Sequence, residues 1–127
     1  MQKNAAVDIG SNSIRYLGPN GERRLITTRL AENIISTGKL SDAAIERSIA
    51  ALKELAALAA AQGAKPYAYA TSAVRDAKFG SRERFLAFAG EIMPVRVLSG
   101  EEEATFARIG AGIADKPDWG LIDLGGG

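Results

Sequence analysis

The chain has 127 residues, 46% of them apolar, and its 16 Lys and Arg against 15 Asp and Glu leave a net charge of +1. That length is enough to bury one main core, and so small a charge excludes a broad electrostatic pull on nucleic acid or on membranes. The absence of cysteine and histidine excludes disulfides, thiolate nucleophiles, Ser-His pairs and the commonest zinc ligands. Any chemistry must run on carboxylates, hydroxyls, backbone amides and Arg or Lys, a donor set suited to hard cations such as magnesium.

In chain order, residues 5–9 read as a short apolar strand, and Ser13 to Leu17 alternate as a second. Pro19-Asn20-Gly21 is a hairpin signal leading to a third strand over 24–30. From Ser41 to Gln62 the apolar positions Ile45, Ile49, Leu52, Leu55, Ala56 and Leu58 recur at helical spacing. Ser41 stands as N-cap, Asp42 in the first turn and Gly63 just past the end. Residues 66–70 read as a strand, Ser81 to Met93 as a helix stopped by Pro94, 95–98 as a strand, and Glu101 to Ile113 as another helix. Trp119 to Leu124 reads as a last strand. Three antiparallel strands followed by alternating helices and strands predict an α/β fold with a mixed sheet, its later part parallel. This is the order of a ribonuclease-H-like domain. The expected division is a lobe over 1–116, with 117–127 opening a second lobe. No apolar run approaches the ~20 residues that cross a bilayer, and no signal-peptide stretch follows Met1, so a cytoplasmic protein with neither membrane nor nucleic acid as partner is expected.

Four phrases carry chemistry. Asp8-Ile9-Gly10-Ser11-Asn12-Ser13 and Asp123-Leu124-Gly125-Gly126-Gly127 each place a carboxylate at a strand end and then a glycine turn. In such a turn backbone N–H groups can close around an anion. Either phrase also reads as an ordinary turn, since Gly, Ser and Asn are common turn formers. In Ala70-Thr71-Ser72-Ala73-Val74-Arg75 a strand runs into two hydroxyls and an arginine whose planar fork suits phosphate. The plainer alternative is a solvated helix arginine with Thr71 or Ser72 as cap. In Ser99-Gly100-Glu101-Glu102-Glu103, acidic residues at a helix start suit the helix dipole, and Ser99 with Glu102 fits a capping box. One of the three carboxylates could still face a cleft as a base.

Taken in order, these phrases and Thr37-Gly38-Lys39-Leu40 resemble the N-terminal domain of the exopolyphosphatase and guanosine pentaphosphate phosphohydrolase family, within the actin-like superfamily. The resemblance spans essentially the whole chain. It implies hydrolysis of terminal phosphoanhydride bonds, in inorganic polyphosphate or guanosine pentaphosphate, by water attack with a magnesium ion. Carried over to this sequence, it implies Glu103 as catalytic base and Arg75, Ser11, Asn12 and Ser13 as phosphate ligands. Gly125, Gly126 and Gly127 would open a second phosphate loop, Asp123 would be associated with the metal, and Asp8 would be a further metal neighbour. If Glu103 lies in a partly apolar cleft, its pKa is expected to rise toward neutrality, which would improve it as a base. A homodimer is expected at native length. An actin-like kinase or ATPase, which adenosine nucleotide binding would reveal, and a non-catalytic phosphate-binding module are the competing readings.

The residues that follow the second glycine loop in that family are absent from this sequence, as is its second lobe. The 127-residue chain alone is therefore expected to fold but to turn over little or no substrate. Magnesium-dependent phosphate release from the isolated chain would refute this.

Overall fold

Strand β1 (Lys3–Ile9) turns back into β2 (Ser13–Leu17), and a tight turn leads to β3 (Arg23–Thr27). The computed structural model describes residues 3–102 and 104. A one-turn helix α1 (Ile34–Thr37) precedes the long α2 (Asp42–Ala61), followed by β4 (Ala64–Ala70), a second one-turn helix α3 (Ser72–Arg75), α4 (Ser81–Ile92) and β5 (Val95–Val97). The five strands form one sheet in the order β3-β2-β1-β4-β5. β1, β2 and β3 are mutually antiparallel, while β4 lies parallel to β1 and β5 parallel to β4. This is the mixed sheet expected from the element order.

The strand period of two decides which face is buried. Ala5, Val7 and Ile9 of β1, Ile14 and Tyr16 of β2, and Ala68 and Ala70 of β4 are buried, whereas the intervening Ala6, Asp8, Ser13, Arg15 and Tyr69 are only half-buried. The buried face packs beneath α2 and α4. α2 contributes Ala44, Ile45, Ala51, Leu52, Leu55 and Ala59, and α4 contributes Phe85 and Ala89. Each fully buried Leu contributes roughly 2 kcal/mol of apolar transfer, and the alanines let the helix backbones approach the sheet closely. As expected, Ser41 caps α2, its hydroxyl accepting from the Ala44 N–H at 3.1 Å.

Two differences from the sequence expectation have physical causes. β3 ends at Thr27 rather than Leu30 because the N–H groups of Thr28 and Arg29 leave the ladder, both donating to the Asn12 carbonyl at 3.0 and 2.9 Å. Arg29 adopts φ 50 to do so. Helix α1 was not expected, and α3 only as the alternative reading of Arg75 as a helix arginine, since four residues are too few to show a helical period. The expected 101–113 helix begins at residue 100. Its continuation, the strand over 119–124 and the lobe boundary at 117 lie outside the described residues.

The β2–β3 hairpin is fastened to the end of α2 by a side-chain relay. Tyr16 Oη donates to Gln62 Oε1 at 2.6 Å, and Gln62 Nε2 donates to Glu22 Oε2. Gly18 makes room for the relay: a Cβ there would stand 2.6 Å from Gln62 Oε1 and 3.1 Å from the Tyr16 ring. Burial raises the Tyr16 pKa above the usual 10.0, and repulsion from Glu22 raises it further. The folded form therefore holds the phenol proton longer than the unfolded chain does, so stability should fall as pH rises above about 10. Tyr16→Phe should cost about 1–2 kcal/mol near neutral pH, because Gln62 loses its donor, and should flatten the alkaline fall. Denaturant unfolding of both proteins at neutral pH and above the tyrosine range checks both effects.

Candidate active site

The parallel pairing of β1 with β4 runs to Ile9 opposite Ala70, so both strands end side by side. Carboxyl ends of parallel strands are where open α/β sheets hold ligands. Three of the sequence phrases meet here.

The first is the turn over residues 10–13. The Gly10 N–H donates to the Ser13 carbonyl at 3.0 Å, closing the turn, and a Cβ on Gly10 would sit 3.0 Å from that same oxygen. Behind the turn runs a strap formed by residues 28–31. Thr28 and Arg29 hold the Asn12 carbonyl, and the Ala31 N–H donates to the Ser11 carbonyl at 3.0 Å. With both carbonyls drawn back, the Ser11 and Asn12 N–H groups donate to no acceptor among the described residues. Two successive amides without acceptors among the described residues, with the half-buried Ser11 and Ser13 and the exposed Asn12 beside them, make this turn the candidate anion cradle. The cradle thus depends on residues 28–31, which no motif pointed to.

Asp8 precedes the cradle on the half-buried face. It stands opposite Arg15 across the antiparallel pair and opposite Tyr69 across the parallel one. Its Oδ1 is shielded from solvent.

The second phrase opens at the end of β4. Arg75 closes α3 and is about one quarter exposed; its Nη1 donates to the Leu98 carbonyl at 3.0 Å and its Nε lies 3.4 Å from Asp76 Oδ1. It therefore bridges the ends of β4 and β5, a role that the plain solvated-arginine reading lacked. The third phrase opens after β5. The Ser99 N–H donates to Glu102 Oε1 and the Glu102 N–H donates to Ser99 Oγ, each at 3.0 Å, which is the expected capping box. Glu102 also pairs with Arg96. Its carboxyl is held below the ordinary value first by the Ser99 N–H and then by the charge and hydrogen bond of Arg96. Glu102 is thus committed to holding the helix start. Glu103, Asp123, Gly125, Gly126 and Gly127 lie outside the described residues.

Among the described residues no three carboxylates, histidines or cysteines cluster to hold a metal. The single Asp8 carboxylate suits a cation that keeps most of its water and takes phosphate oxygens as ligands, as magnesium does. No helix among the described residues is long and apolar enough to cross a membrane.

Known proteins resemble this chain over most of its length. The model of the Ppx/GppA phosphatase family matches residues 21–127. Exopolyphosphatase 2 of Mycobacterium tuberculosis is 33% identical over 147 residues, covering 97% of this chain and 45% of its own length. This chain therefore spans about half the length of the curated relatives it matches. Among solved structures, an exopolyphosphatase-like protein is 32% identical with a TM-score of 0.74, over 81% of this chain and 34% of that one. A Ppx/GppA phosphatase of Aquifex aeolicus, in its type II variant, is 28% identical with a TM-score of 0.72, over 84% of this chain and 38% of that one.

Gly10→Ala should push the Ser13 carbonyl back by a few tenths of an ångström and strain the turn, at a cost of about 1–3 kcal/mol. Thermal unfolding with and without inorganic phosphate should show both a lower melting temperature and a smaller phosphate-induced rise.

Proposed function

The chain belongs to the Ppx/GppA phosphatase family, and on that premise we propose that it forms the N-terminal lobe of a phosphohydrolase acting on the terminal phosphoanhydride bond of inorganic polyphosphate or of guanosine pentaphosphate. The observation that carries the proposal is the amide cradle of Ser11 and Asn12 at the shared end of β1 and β4. Its donors suit a phosphoryl oxyanion, and being backbone groups they need no reorganisation to receive it.

In the proposed reaction the cradle and the Ser11, Asn12 and Ser13 side chains hold the terminal phosphoryl group. Arg75, anchored on Leu98, offers charge to the same group from the β4 side. A water attacks the terminal phosphorus while Glu103, the next residue in sequence after Glu102, orients it and accepts its proton. The bond from the terminal phosphorus to the bridging oxygen breaks. Inorganic phosphate and a chain shorter by one phosphate result. Asp8 and Asp123 would hold the magnesium ion, and the chemistry it supplies when bound is neutralisation of phosphoryl charge. Gly125 to Gly127 would open a second phosphate loop, in the second lobe that the family resemblance implies. Polyphosphate is favoured as substrate because the curated relative with 33% identity is an exopolyphosphatase.

The test compares the native-length protein with its Glu103→Gln variant for phosphate release from long-chain polyphosphate and from guanosine pentaphosphate. Release with polyphosphate preferred, lowered in the variant by at least about 100-fold, is the expected result for loss of a general base. Absence of release from both substrates in the unaltered protein would overturn the proposal.

A further inference from the structure

Within the phosphohydrolase reading above, one buried hydroxyl has no assigned role. Thr71 is 1% exposed and its Oγ1 has no hydrogen-bond partner among the described residues. A buried hydroxyl left unpaired costs about 1–3 kcal/mol, so its retention calls for a compensating use. The ordinary use at this position would be capping α3. Thr71 is the residue before that helix, yet only its backbone carbonyl serves there, accepting from Val74 and Arg75 at 3.1 and 2.9 Å, while its side chain makes no cap bond.

Its position in the sheet points to a different use. Ala70 is the last residue of β4 paired with β1, opposite Ile9, which brings Thr71 beside Gly10 at the start of the cradle. Thr71 directly follows β4, just as Gly10 directly follows β1. Among the described residues two other buried hydroxyls have no partner: that of Thr28, which follows β3 and whose N–H holds the Asn12 carbonyl, and that of Ser48 within α2. Thr71 is the one at the carboxyl end of a parallel strand.

We infer that Thr71 is a further phosphate-binding residue, its Oγ1 donating to an oxygen of the phosphoryl group seated on the Ser11 and Asn12 amides. An anion reaching it meets a donor already stripped of solvent and fixed in direction, where a hydrogen bond to charge is strongest. The hydroxyl is then unsatisfied only while the cradle is empty.

Thr71→Val keeps the shape and removes the donor. In the native-length protein without ligand it should raise the melting temperature, because an unpaired buried hydroxyl is replaced by a methyl group. At the same time it should weaken binding of inorganic phosphate roughly tenfold and raise KM for polyphosphate. Thr71→Ser, which keeps the donor, should bind phosphate within about threefold of the unaltered protein. Ser48→Ala removes a buried unpaired hydroxyl far from the cradle and should stabilise without changing phosphate affinity. Phosphate affinity within about twofold of the unaltered protein in Thr71→Val overturns the inference, including the case in which the variant is merely less stable because the hydroxyl serves the fold. If polyphosphate hydrolysis persists in that case, the functional reading stands without Thr71. An unaltered protein that neither hydrolyses polyphosphate or guanosine pentaphosphate nor binds inorganic phosphate overturns that reading, and this inference with it.

Discussion

The candidate site depends on one parallel seam in a sheet that is otherwise begun as a meander. β1 already has an antiparallel neighbour in β2, and its other edge receives β4 with seven residues in register, from Lys3 opposite Ala64 to Ile9 opposite Ala70. A parallel return needs a crossover that carries the chain from one end of the sheet to the other. The 20 residues of α2 supply it. Because both strands run the same way, their carboxyl ends coincide, and the residues that follow each strand become neighbours. Were β4 antiparallel to β1, the Arg75 segment would emerge at the opposite end from the Ser11 and Asn12 amides.

Given that seam, the site is built largely from the main chain. The cradle donors are amides, the strap that exposes them acts through amides of residues 28, 29 and 31, and Arg75 is anchored on a backbone carbonyl. This suits a chain without histidine or cysteine. Backbone dipoles are already fixed by folding, so an anion does not have to order long side chains on arrival. Side chains are then left for what backbone cannot do, which is to supply full charge and to accept a proton.

The elements legible in the sequence were those whose signal extends over several residues. α2 declares itself through its apolar repeat and the Ser41 cap, and the mixed sheet through strands that alternate and then give way to helix–strand units. The capping box of Ser99 and Glu102 was legible because it needs only two residues at fixed spacing. α1 was not, and α3 only as an alternative reading, since four residues cannot display a period of 3.6. The strap was invisible for a different reason: its hydrogen bonds join residues 28–31 to Ser11 and Asn12 through main-chain atoms, and such bonds leave no preference in side-chain identity. The Thr71 hydroxyl was visible as a residue but not as an unpaired donor, because satisfaction of a buried group is a property of the packed structure. The Glu103, Asp123 and Gly125–Gly127 assignments rest on the family resemblance.

The seam also bears on the order in which the lobe can assemble. β1, β2 and β3 are joined by short turns, so their contacts are local and close at small entropic cost. Pairing β1 with β4 joins residues about sixty positions apart and must wait for a long loop to close. A meander formed alone would already contain Asp8 and the 10–13 turn, yet it would offer neither Arg75 nor Thr71 beside them. Phosphate should therefore favour the fully paired sheet over any earlier intermediate, so that ligand and long-range topology stabilise one another.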